Sequence, residues 1–224
     1  MARHTLSVTV TVTVTTLTAT AALLLGGCGG GDGDSSPGGI KGAGSASASA
    51  AASASASVSV SAGAPDVSVP DDLDLVFDFA KPSDARSAAA LADAENYIRA
   101  LDHGIAAQDP EDPAYKYYSD GPAAEYAKSQ IKAWVKGSWT VTGTDQYSNA
   151  ETTTLSNKNV VVTFCRNQAK FYSKEIKTGK ILYTEESPSS YQKFTLLMNP
   201  PSGSSQAWKA MAVEVKGEVE ECGA

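Results

Sequence analysis

The chain has 224 residues, 18 basic against 25 acidic side chains, a net charge of −7, three cysteines and two histidines. That balance excludes the basic patch or stripe a nucleic-acid partner requires. His4 sits near the start, so His103 stands alone in the rest of the chain, which sets aside zinc clusters and histidine-based catalytic triads. Every Phe, Tyr and Trp lies at or after Phe77. The stretch before residue 67 therefore lacks the material for a packed core, and one domain of roughly 150 residues remains.

Arg3 and His4 precede an uncharged stretch from Thr5 to Leu25, which runs into Gly26-Gly27-Cys28. A positive start, an apolar middle and small residues at a cleavage point describe an export signal over residues 1–27. Thr5 to Leu25 is also about long enough to span a bilayer, but its alternation of Val with Thr from Val8 to Thr15 makes it weakly apolar. Leu25-Gly26-Gly27-Cys28 resembles the bacterial lipobox. That resemblance implies that Cys28 is acylated, becomes the first residue of the mature protein, and holds it to membrane lipid at the outer face of the cytoplasmic membrane. Each buried methylene contributes about 0.8 kcal/mol, and two acyl chains suffice for stable anchoring.

Residues 28–66 follow as a tether. Ala, Ser and Gly dominate it, and such a composition buries too little apolar surface to offset its ordering entropy. As a coil it spans on the order of 35 Å, from roughly 5–6 Å times the square root of its length. The folded domain is expected over 67–224. Its opening carries Asp66, Asp71, Asp72, Asp74 and Asp78 around Leu73, Val76, Phe77 and Phe79, which reads as an acidic lead-in that docks its aromatics on the domain. A calcium loop is the alternative, but the spacing lacks the glycine and glutamate of an EF-hand. No metal and no cofactor is expected.

Pro82-Ser83-Asp84 opens a helix with Ser83 as N-cap. Leu91, Ala94, Ile98, Leu101 and Ile105 recur at three- and four-residue steps on one face. Pro110 to Asp120 reads as a loop carrying Tyr115, Tyr117 and Tyr118. Gly121-Pro122 starts a second helix, with Ala123, Ala127, Ile131, Trp134 and Val135 on its apolar side and Gly137 as its stop. The period then changes to two. Trp139–Tyr147, Glu151–Leu155, Asn159–Arg166, Lys170–Ile176, Ile181–Glu185, Tyr191–Met198 and Ala207–Val219 read as strands, separated by turn residues such as Thr178-Gly179-Lys180. Helices first and antiparallel strands after make an α+β domain. Outside the cytoplasm, Cys165 and Cys222 should pair. Closing that loop stabilises the fold by about 4 kcal/mol in the chain-entropy account.

Tyr118-Ser119-Asp120-Gly121-Pro122-Ala123, Val161-Val162-Thr163-Phe164-Cys165, Thr178-Gly179-Lys180 and the ending from Trp208-Lys209 through Cys222 resemble secreted lipoproteins of actinobacteria. The order of elements resembles the nuclear transport factor 2 and ketosteroid isomerase superfamily. The resemblance implies a cone: N-terminal helices packed on a strongly curved antiparallel sheet, with a cavity at the wide end. It departs from the pattern after the first domain cysteine, where Asn167 and Ala169 stand in place of an acidic residue and a serine. Homodimers through the open sheet face are common in that superfamily.

Isomerase-type members need a carboxylate base and a hydroxyl or acid donor facing each other in an apolar pocket. Asp102 and His103, with Tyr97 one turn earlier and Tyr118 in the loop, are the candidates. Asp102 and His103 neighbour Leu101 rather than sharing its face, which points them to solvent, and Tyr97 reads as a core-edge residue whose hydroxyl reaches water. Tyr97, Tyr115, Tyr117 and Tyr118 are the candidate ligand-binding residues, against a plain packing role. Trp134, Trp139 and Trp208 read as core. Lys170, Lys174, Lys177 and Lys180 read as a solvated hairpin face, with anionic lipid or wall polymer as the other partner. The functional expectation is a non-enzymatic binding module for a small ligand or an envelope protein. An isomerase or dehydratase using a cavity carboxylate and tyrosine is the second reading, and a structural accessory of an envelope complex the third.

Overall fold

The computed structural model describes residues 63–223. The expected export signal, Cys28 and the expected tether up to residue 62 lie outside the described residues.

Leu73–Asp78 forms β1, in which Leu73 and Leu75 are buried and Asp74 is exposed, the period of a half-covered strand. The acidic lead-in is therefore a strand, which the density of aspartates masked. Its aromatics do dock: Phe77 stacks on Tyr147 with ring centres 4.8 Å apart, and Phe79 lies 5.5 Å from Phe164. β1 pairs in parallel with the strand from Trp139, Leu73 opposite Gly143 through Asp78 opposite Ser148. A parallel neighbour requires a long crossover, and three helices supply it.

α1 spans Ala85–Ala107. Its cap is Asp84 rather than Ser83, the carboxylate accepting from the Ser87 N–H at 2.8 Å. Leu91, Ala94, Ile98, Leu101 and Ile105 are all buried. The expected loop from Pro110 contains a short helix, α2 (Pro113–Tyr118), capped by Asp112 through the Ala114 N–H at 2.7 Å and started by Pro113. α3 runs Gly121–Gly137, with Ala123, Ala127 and Ile131 buried. It approaches α1 closely at Gly104, where a Cβ would meet the tip of Ile131.

The strands are β2 (Trp139–Thr154), β3 (Val160–Glu175), β4 (Ile181–Leu182), β5 (Tyr191–Asn199) and β6 (Lys209–Gly217). They form an open sheet in the order β1-β2-β3-β5-β6, with the short β4 pairing β3 beside this path. All pairings except β1 with β2 are antiparallel, so the sheet is mixed rather than purely antiparallel. Four of the expected strands merge into two long ones, because the interruptions are bulges and not breaks. Asp145 of β2 faces two residues of β3, Gln168 and Ala169, while Asn149 and Ala150 of β2 face Phe164. Such bulges bend a strand and re-aim its side chains. Between β1 and β3, Gly143 sits at φ +95°, where a Cβ would collide with the Lys170 carbonyl oxygen.

Cys165 and Cys222 are joined by a disulfide with Cα atoms 5.1 Å apart, holding the terminal 3-10 turn Glu220–Cys222 against β3. Trp208 is buried, but Trp139 is 39% exposed and is not core. It lies at the corner between α3 and β2, its ring over Gly137.

Candidate functional site

Between α1, α3 and the sheet lies a cavity of about 170 Å³. Ile98, Leu101, Asp102 and Ile105 come from α1, and Tyr126, Gln130 and Trp134 from α3. The sheet supplies Tyr147, Arg166, Gln168, Phe171, Gln192 and Phe194. The spacings explain the convergence. Positions 98, 101, 102 and 105 share one helical stripe, and 126, 130 and 134 share another. Arg166 lies opposite Tyr147 in the β2–β3 register and opposite Gln192 in the β3–β5 register.

Next to the cavity is a buried ion pair. Asp145 is fully buried. Its carboxylate accepts from Arg166 Nε at 2.9 Å on both oxygens, from Nη2 at 2.7 Å, and from the Tyr147 hydroxyl at 2.7 Å. Strand alternation makes the Tyr147 contact possible: two residues apart on β2, Asp145 and Tyr147 point to the same face. Arg166 donates its Nη1 to Gln192 Oε1 at 3.3 Å and lies 4.9 Å from the Phe171 ring centre. Burial works against the Arg166 charge, but Asp145, with Tyr147 and Asp102 behind it, holds the guanidinium above its ordinary pKa. Burial likewise drives the Tyr147 hydroxyl well up.

Asp102 is the third ionisable group. It is 3% exposed, lines the cavity, and has no hydrogen-bond or ion-pair partner among the described residues. Burial, reinforced by the Asp145 charge, pushes its carboxyl up to about 8 against the pull of Arg166 and Arg99. The expectation that Asp102 faces solvent is thus overturned. Its immediate neighbour Leu101 is the wrong reference; Ile98 four residues before and Ile105 three after share its face. Burial first, and then the Asp145 charge, favour the protonated form of Asp102.

The expected tyrosine cluster is elsewhere. Tyr97 is fully buried, not at a wet edge: its hydroxyl donates to the Ala123 carbonyl at 2.8 Å, joining α1 to α3. Tyr115 donates to the Pro110 carbonyl at 2.8 Å, and Tyr117 packs edge-on against the buried Tyr118 at 4.9 Å. None of the four lines the cavity. His103 is partly exposed; its Nδ1 lies 2.6 Å from the Ser68 carbonyl oxygen and its Nε2 3.5 Å from Asp112, tying the lead-in and α2 to α1. Lys174 pairs with Asp72, while Lys170, Lys177 and Lys180 are exposed. Asn167 accepts from the Ala169 N–H at 3.0 Å and so closes the bulge on β3.

Sequence reasoning missed Asp145 and Arg166 altogether. Both were marked by phase: Asp145 falls on the inward period of Val141 and Tyr147, and Arg166 on that of Val160, Val162 and Phe164. A charged residue in the inward phase of a strand must find a buried partner. Chemically, the site can donate and accept hydrogen bonds through Asp102, Tyr126 and the glutamine amides, and it can hold one proton that is close to release. The chain matches no protein-family model and no curated protein.

Proposed function

We propose that the chain is a lipid-anchored extracytoplasmic binding module, not an enzyme, whose domain holds a small polar molecule in the Asp102 cavity. The observation that carries this reading is the buried Asp102 carboxyl, unpartnered and open to a cavity with room for about five waters at roughly 30 Å³ each. The Asp102 carboxyl opens onto the cavity, where a ligand can complete its hydrogen bonds. The unfilled cavity weighs against a purely structural accessory. The helices on a bulged sheet fit the cone-shaped fold of the nuclear transport factor 2 superfamily, and Leu25-Gly26-Gly27-Cys28 with the disulfide fits anchoring at the outer face of the cytoplasmic membrane. The test has two parts. Palmitate labelling in the producing cell should mark the wild type and not Cys28→Ala, and native mass spectrometry should find a bound small molecule that Asp102→Leu loses. Unlabelled wild-type protein would refute the anchor, and an empty cavity with no response to any polar probe would refute the binding role.

A second reading rests on Asp102 and Tyr126 lining the same cavity. An acid titrating close to neutrality beside a hydroxyl is the pairing that proton-shuttling isomerases use. Isomerisation of a small β,γ-unsaturated ketone that Asp102→Asn abolishes would establish it; no turnover leaves the binding module.

A further inference from the structure

The charge and ring content of the cavity narrow the ligand class. Of the charged residue types at and beside the cavity, Arg166 is the base and Asp102 and Asp145 are the acids. Three hydrogen bonds from Arg166 and one from Tyr147 saturate Asp145, and Arg166 Nη1 donates to Gln192. The Asp145 carboxylate already neutralises the guanidinium, so the pair offers a ligand no net positive charge. Asp102 is left with a carboxyl that lacks a counter-charge, and Tyr126 and Trp134 of α3 line the same space with aromatic surface. A carboxylate beside aromatic rings is the environment that recognises an ammonium group.

Resting on the reading of the cavity as the ligand site, we infer that its ligand is a compact organic cation, a quaternary or primary ammonium of a few heavy atoms, held by Asp102 against Tyr126 and Trp134. The small volume excludes fused-ring molecules and long acyl chains. Binding such a cation supplies the missing positive charge and expels the Asp102 proton. The groups that bear on this proton are Arg99 on the same helix, Tyr126 on α3, Asp145 and Tyr147 on β2, and Arg166 on β3. Arg99 is itself shared with Glu95 and Asp74 and packs over Phe77 at 4.6 Å, so it does not neutralise Asp102 alone.

The experiment is calorimetric titration of the full chain in detergent at pH 6.5 with tetramethylammonium, acetamide and acetate, each in two buffers of different ionisation enthalpy. Tetramethylammonium should bind with release of close to one proton. Asp102→Asn should weaken it by more than about tenfold and abolish the proton release, while acetate should not bind. Binding of acetamide without tetramethylammonium would overturn the cation class and leave the cavity standing as a site for neutral molecules. Acetate binding would overturn the charge argument. Silence of all three probes would overturn both the cation and the cavity as a ligand site.

Discussion

Replacing Asp102 by asparagine isolates the cost of burying this carboxyl. In the unfolded chain an aspartate titrates near 4; in the fold, burial and Asp145 push Asp102 up to about 8. Between those values the folded state binds the extra proton, so stability is greatest at the acid end and falls as pH rises, by about 1.4 kcal/mol per pH unit. From pH 4 to pH 7 that amounts to about 4 kcal/mol. Asparagine has nearly the same shape and cannot ionise, so the variant should match the wild type near pH 4 and exceed it by about 4 kcal/mol at pH 7. Asp93 and Glu95, whose carboxyls burial also raises, titrate in both proteins and cancel in the difference. Urea unfolding followed by tryptophan fluorescence, with the disulfide intact, measures it across pH 4–8. A variant less stable at pH 7, or a gap that is the same at pH 5 and pH 7, would refute the placement of an unpartnered acid in the core.

The remaining predictions concern the frame around that group. Arg166→Met leaves Asp145 buried with Tyr147 as its single donor and should cost about 3–5 kcal/mol by urea unfolding, whereas the double variant Asp145→Leu/Arg166→Met should recover much of the loss; additivity of the two would contradict a direct pair. Gly143→Ala forces a Cβ against the Lys170 carbonyl oxygen at φ +95°, and the expected loss is about 1–3 kcal/mol, visible as a lowered Tm. Cys165→Ala/Cys222→Ala opens a loop with a separation of 57 residues and should cost about 4 kcal/mol; an unchanged urea midpoint would count against the bond.

The helical frame was legible because its signals are local. One apolar stripe marks α1, and Gly121-Pro122 with Gly137 marks the limits of α3. The strands were legible by period, but where one ends was not, since a bulge at Gln168-Ala169 and a turn look alike in sequence until the partner strand shows which residue is extra. β1 was hidden by its aspartates, although Leu73, Leu75 and Phe77 keep a strict alternation. The disulfide followed from the expected compartment and the cysteine count. The site was the least legible part. Asp102 and Asp145 lie on different elements far apart in sequence, Arg166 lies 21 residues beyond Asp145 on the next strand, and their meeting depends on how α1 crosses two bulged strands. The tyrosines drew notice by clustering in sequence, yet Tyr97 and Tyr115 use their hydroxyls to cap backbone carbonyls. What each charged residue did carry was a phase, inward on its helix or strand, and phase is the signal to weigh ahead of neighbourhood.

A domain of this size has about 5–15 kcal/mol of stability in hand, so a penalty of about 4 kcal/mol at one position is a large share of it. Leucine at 102 would extend the stripe of Ile98, Leu101 and Ile105, remove the proton uptake, and fill part of the empty space beside α3. Asp102→Leu should therefore be more stable than the wild type at pH 7 and lose the response to tetramethylammonium, the opposed changes expected where activity rests on a group the fold would be better without. The measurement is the pair, urea midpoint and calorimetric titration, on one preparation. A destabilised Asp102→Leu that still bound the cation would reverse the assignment: the carboxyl would then be a structural partner, and the cavity would owe its ligand to the glutamine amides and aromatic rings alone.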